Sequence, residues 1–459
     1  MEEMVAYHQT SVSVVDPSSS LHFSQLGNLA STLPTEGWRS LYTKKDIVTC
    51  IEKIQAVRYE ESLSLFSTLR LVAYSSGYCL GSANWLLETG FKKVAFLSST
   101  STVANRHPAP LDPAIIESAD VIILSDLKKS STVKEKTYEQ EMHGALTNMA
   151  MALSNGHNAI FCMPTMGPLF DVIDAAYHYL RSIGKEIGKE PYQVPVYVVS
   201  PIAYRSLQYA NICGEWMNAE RQNMLYEPQM PLIHGPLLKS GALQTIHSMV
   251  AGGMSDNIRE PCIVFTGDST CISKGSIQWF LRHWGSKEQN ACIFTALQRD
   301  IPANCRMRLL WTPLNARLLL SEMSTLLQTH WQYTNDSAKH ILVPSHPNVD
   351  PFKEYWQHNN VNVHVYEAGD IVGIELHRQW ERISISEQLA NTICTDRVHT
   401  SGEDNVTYMP VTGLLQMYNH RLELHPLTSL RDNLNLRIHQ RRYWDQADLH
   451  TLMHRLNMV

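Results

Sequence analysis

Twenty-one histidines are the most obvious chemical resource of this 459-residue chain, and neutral imidazole is the commonest protein ligand for transition metals. Their spacing does not build a metal centre. No two histidines are separated by a single residue, so the HxHxDH loop that seats a pair of hydrolytic zinc ions is missing. The one i,i+4 pair is His450 and His454, in His450-Thr451-Leu452-Met453-His454. A zincin helix places glutamate directly after its first histidine, as general base. Thr451 cannot take that proton, so the pair reads as two surface residues of a terminal helix.

Other chemistries fare no better by pattern. A phosphate cradle needs GxxxxGK[ST] or GxGxxG between a strand and a helix. Neither Gly77-Tyr78-Cys79-Leu80-Gly81 nor Gly252-Gly253 supplies one. No GxSxG elbow is present for a serine nucleophile. Asp268, in Thr266-Gly267-Asp268-Ser269, follows an apolar run where α/β proteins place ligands, although a single acid there more often caps a helix. Nine cysteines are scattered with no CxxC pair, which reads as reduced thiols rather than a disulfide framework or zinc knuckle.

The elements that would have to position any site fall into blocks. Residues 1–35 are serine-rich with little apolar periodicity and read as a mobile tail. A helix is predicted from Asp46 to Val57, with Asp46 as its N-cap. Leu63, Leu65 and Leu71–Tyr74 read as strands. Trp85–Leu87, a Thr89-Gly90 turn and Val94–Leu97 read as a hairpin. Val121–Leu124 is a fully apolar run, as in a strand buried on both faces. From residue 136, helices (137–153, 168–183, 204–217, 276–284) alternate with strands (159–162, 196–199, 263–266, 292–294), which predicts a doubly wound α/β domain over 136–300. A strand at 307–311, a helix at 317–327 and a strand at 341–343 follow over 301–365. A strand-rich region, 366–429, and a patternless tail, 430–459, complete the chain.

Composition is globular, with 44% hydrophobic and 18% charged residues. The net charge is −6 and the pI about 6.4. A protein that grips RNA alone usually presents a basic face, because phosphate neutralisation dominates such affinity. Met1–Gln9 holds two glutamates and no apolar h-region, so no secretory signal is expected. No run of about 18 apolar residues predicts a membrane span.

The segment from Ser75 to Trp85 resembles the corresponding loop of the Integrator-type, catalytically inactive members of the metallo-β-lactamase/β-CASP family. So do Trp38–Thr43, Pro201–Ala203, Pro261–Gly267 and Gln379–Ile385, and the likeness runs from about residue 36 to about residue 425. It implies an α/β fold: a partial metallo-β-lactamase αββα sandwich (36–135 and 301–365) interrupted by a β-CASP domain (136–300). Active relatives cut RNA with two zinc ions. Where they carry metal ligands, the resemblance puts Tyr78 in their glycine-histidine loop, Ser99 and Ser125 at two successive strand ends, and Leu314 and Pro344 in two later turns. Leucine and proline offer zinc no donor, and serine is a poor neutral ligand.

The resemblance therefore implies no catalytic residues, no metal, no cofactor and no enzyme activity. It implies instead a nuclear, non-catalytic scaffold that pairs with the catalytic Integrator subunit 11 and other Integrator subunits. Such a scaffold would serve small nuclear RNA 3′-end processing and nascent-transcript cleavage, meeting RNA only within the complex and no membrane. Alternatives are the inactive subunit of the mRNA cleavage and polyadenylation machinery, or a hydrolase with a rearranged site. Compared with the family, the early strands of the first domain and the C-terminal dimerisation domain are expected to be lacking.

Overall fold

The computed structural model describes residues 43–65, 69–89, 92–129, 136–227, 229–249, 258–267, 276–295, 301, 304–331, 339–359, 361–374, 383–391, 399–400, 407–408, 411, 413–418 and 421–426. Asp268, Gly252-Gly253, His450 and His454 lie outside them, as do both tails and the Trp38–Tyr42 stretch. Two compact units form, Met1–His377 and Arg378–Val459.

The first unit holds two sheets. Its strands in chain order are β1 (Ser62–Leu65), β2 (Leu69–Ser75), β3 (Ala83–Glu88), β4 (Lys93–Leu97), β5 (Val121–Leu124), β6 (Ala159–Cys162), β7 (Val196–Val199), β8 (Leu243–Ile246), β9 (Ile263–Phe265), β10 (Ala291–Phe294), β11 (Arg308–Trp311), β12 (Lys339–Pro344) and β13 (Val361–Tyr366). The first sheet runs β1-β2-β3-β4-β5-β12-β13 and the second β11-β10-β6-β9-β7-β8. The chain thus leaves the first sheet after β5, builds the whole second sheet, and returns to pair β12 parallel to β5.

The first sheet changes character along its width. Strands β1 to β4 are antiparallel neighbours, and the expected β3–β4 hairpin is closed by Thr89, whose N–H and hydroxyl both donate to Lys92 O. From β4 to β13 the pairing is parallel. Here the apolar runs of β5 and β12 are covered by the helix Leu320–His330, with Leu327, Trp331 and Trp356 in the core beneath.

The second sheet is parallel throughout, and alternate residues of each strand feed two separate cores. Ala159, Phe161, Val196 and Val198 pack under the helices Tyr138–Ser154, Pro168–Ser182 and Ala203–Ile212. Ile160, Cys162, Tyr197 and Val199 pack on the opposite face with Ile277, Phe280 and Leu281 of the helix Ser276–His283. Both faces being buried explains why these strands read as continuous apolar runs. The doubly wound arrangement expected from the alternation is what the chain adopts.

Three local readings need correction. The first helix spans Lys44–Glu52, and its N-cap is Thr43, not Asp46. Thr43 Oγ1 accepts from Asp46 N while the Asp46 carboxylate accepts from Thr43 N, a reciprocal capping box. The strand read at 307–311 does not rejoin the first sheet. As β11 it pairs parallel to β10 at the margin of the second, with Trp311 half exposed. The helix read as 204–217 ends at Ile212, and a 3-10 turn, Gly214–Trp216, precedes a separate helix, Ala219–Tyr226, capped by Asn218.

The second unit contains a three-stranded sheet of Ser384–Ile385, Arg421–His425 and Leu414–Tyr418, a two-stranded pair of His399–Thr400 with Thr407–Tyr408, and a short helix, Glu387–Ala390, capped by Ser386.

Candidate functional site

Parallel sheets place ligands at the C-terminal ends of their strands, and four of the five positions singled out by resemblance sit at or beside that edge of the first sheet. Ser99 follows β4, Ser125 follows β5 and Pro344 ends β12, on three successive strands. Tyr78 lies in the loop between β2 and β3. That loop is pinned by Gly77, whose φ of +70° suits glycine and whose added Cβ would lie 2.3 Å from Ser101 O. Ser101 N also donates to Ser76 O. Leu314 is elsewhere in character: it is buried in the apolar core under the second sheet.

The space between these positions is organised by charge. The Ser99 hydroxyl donates to Asp126 Oδ2, and the same carboxylate oxygen stands 3.2 Å from Arg317 Nε. The Arg317 guanidinium lies 5.7 Å from the Tyr78 ring centroid, and that of Arg106 lies 5.9 Å from the same ring. Arg106 is also 5.3 Å from the Tyr138 ring. Tyr78 is thus flanked by two guanidinium groups, each within cation–π range of its ring. Ser125 donates through both N–H and hydroxyl to Leu97 O, and Tyr366, opposite Pro344, donates its hydroxyl to Leu124 O.

A second charged group ties this edge to the neighbouring lobe. Asp171, in the first turn of the helix Pro168–Ser182, accepts from Arg106 Nε at 3.1 Å, from His107 N at 2.8 Å and meets His107 Nδ1 at 2.9 Å. All three residues are buried. Burial alone pushes the Asp171 carboxyl up. The charge and hydrogen bonds supplied by His107 and Arg106 outweigh that and hold it below the ordinary carboxylate range. The strap carrying Arg106 and His107 continues into an isolated antiparallel bridge, Pro108 to Met217, with Asn218 Nδ2 donating to Arg106 O.

These residues do not fit a pair of zinc ions. Leu314 and Pro344 carry no side-chain donor atoms, and Asp126, bonded to Ser99, and Asp171 are already engaged by guanidinium groups. Arginine keeps its charge at any working pH and repels a dication at that distance. Among the described residues, no three His, Cys, Asp or Glu side chains are grouped to hold a metal ion. What the arrangement can do is hold loops from two lobes in one geometry.

Arg106, Asp126, Asp171 and Arg317 escaped the sequence reading. Asp126 had one available signal, an acid immediately past a strand end. The other three belong to no motif and meet only through the fold.

Comparison with known proteins is consistent with this architecture. A family model described as the Beta-Casp domain matches residues 177–300, inside the second lobe. The chain is 30% identical over 410 residues to the Integrator complex subunit 9 homolog of Nematostella vectensis, covering 86% of this chain and 58% of that protein. It is 28% identical to Integrator complex subunit 9 of Homo sapiens, over 80% of this chain and 54% of that protein. To the subunit 9 homolog of Dictyostelium discoideum it is 27% identical, over 92% of this chain and 59% of the other. The chain therefore spans a little over half the length of the curated relatives it matches.

Proposed function

We propose, from the premise that this chain is an Integrator-subunit-9-like metallo-β-lactamase/β-CASP protein, that it acts as a non-catalytic scaffold subunit of the Integrator complex. In this reading it pairs with the catalytic endonuclease paralogue, Integrator subunit 11, in the nucleus. The pair would serve small nuclear RNA 3′-end processing and the cleavage of nascent transcripts.

The names of the relatives support an Integrator subunit role. The observation that supports the non-catalytic part is the pairing of nearby carboxylates: Asp126, bonded to Ser99, lies 3.2 Å from Arg317 Nε, and Asp171 holds Arg106, so neither is open to a metal ion. Tyr78, Ser99, Ser125, Leu314 and Pro344 are then vestiges of a ligand set, retained as loop, strand-end and core residues. Without a bound metal no water is brought from a pKa of 15.7 toward about 7, so no hydroxide nucleophile forms at neutral pH. A net charge of −6 agrees with RNA contact made by an assembly rather than by this chain alone.

Affinity purification of the tagged chain from nuclear extract, with mass-spectrometric identification of partners, tests the reading. The expected result is co-purification of Integrator subunits including the endonuclease. Recovery of cleavage and polyadenylation factors instead would assign it to the other machinery. Metal-dependent RNA cleavage by the chain purified free of partners would make it a hydrolase.

A further inference from the structure

We draw no further inference here: the strongest candidate, the apolar face of the first sheet on which Leu71, Trp85, Leu87, Val94, Phe96 and Ile123 stand in register across β2 to β5, carries nothing because nothing in the structure shows what covers it.

Discussion

Arg106 Nε and Asp171 Oδ2 meet at 3.1 Å although 65 positions separate them in the chain. One comes from a strap beyond β4 of the first sheet, the other from a helix packed on the second. Their contact, reinforced by His107, is a charged bolt between the two lobes. Removing Asp171 would leave the Arg106 guanidinium buried with no counter-charge. Asp171→Ala is therefore expected to cost about 3–5 kcal/mol of unfolding free energy, read by urea denaturation. A loss under about 1 kcal/mol would show the bolt to be dispensable.

Acid should act first through His234. Burial pushes its imidazole down to about 4. Its Nε2 lies 2.9 Å from the Leu207 carbonyl, which can only accept, so the ring is neutral with Nε2 protonated. In the unfolded chain the group titrates near 6.5. With the folded pKa the lower of the two, its contribution is complete above about 6.5 and is lost as pH falls toward about 4. The whole shift is worth on the order of 3 kcal/mol. Asp171, also depressed when folded, adds its own loss as pH falls from the ordinary carboxylate range toward its lowered folded value. Melting curves from pH 7 to pH 4 are expected to fall steadily, and the slope should flatten in His234→Gln.

Elemental analysis of purified protein is expected to find well under one equivalent of zinc per chain. A structural zinc site binds with an apparent free energy of about 10–16 kcal/mol and would survive gel filtration. One or two equivalents would contradict the account of Tyr78, Ser99, Leu314 and Pro344 given above.

Restoring one ligand should not restore chemistry. Ser99→Asp places a second carboxylate beside Asp126, and Leu314→His puts an imidazole into an apolar core. Neither creates the several ligands and oriented supports that two-metal hydrolysis needs. Leu314→His is expected to lower stability by about 2 kcal/mol or more through polar burial. Neither variant should cut RNA with added zinc, and a signal above a mock preparation would refute this.

Gly77→Ala is expected to destabilise the loop that carries Tyr78. Its new Cβ would fall 2.3 Å from the Ser101 carbonyl oxygen, at a φ of +70° that L-residues rarely adopt. A penalty of about 1–3 kcal/mol is expected, with altered tyrosine fluorescence if Tyr78 is displaced. Unchanged stability would mean the Ser101 segment yields freely.

The sequence was most legible where burial is two-sided. Apolar runs such as Ala159–Cys162 and Val196–Val199 declare parallel strands because water touches neither face. It was less legible at boundaries. Thr43-Lys44-Lys45-Asp46 already holds a capping-box pattern, yet the acid, not the threonine, drew attention as the cap. The helix His234–Ser240 carries Gly235-Pro236 in its first turn, a pair more typical of turns, yet proline there forfeits no intrahelical hydrogen bond. That Leu314 and Pro344 offer no side-chain donor can be read from residue type. The company these positions keep cannot. Arg106, Asp171 and Arg317 are ordinary surface-type residues in the sequence, and only the closing of one lobe on the other makes them neighbours.

The return of the chain to its first sheet has a consequence for synthesis. Lys339, at the start of β12, hydrogen-bonds back to Ala119 O across 220 positions, and β12 covers an edge of β5 that is complete long before. On the ribosome that edge waits while the entire parallel sheet of the second lobe emerges. At roughly 5–20 residues per second the wait is about 10–40 s. For that interval Val121–Leu124 is an apolar strand with an open margin, a template for mispairing with other nascent chains. Demand for chaperones should therefore peak mid-chain, and should fall once residue 344 has left the exit tunnel.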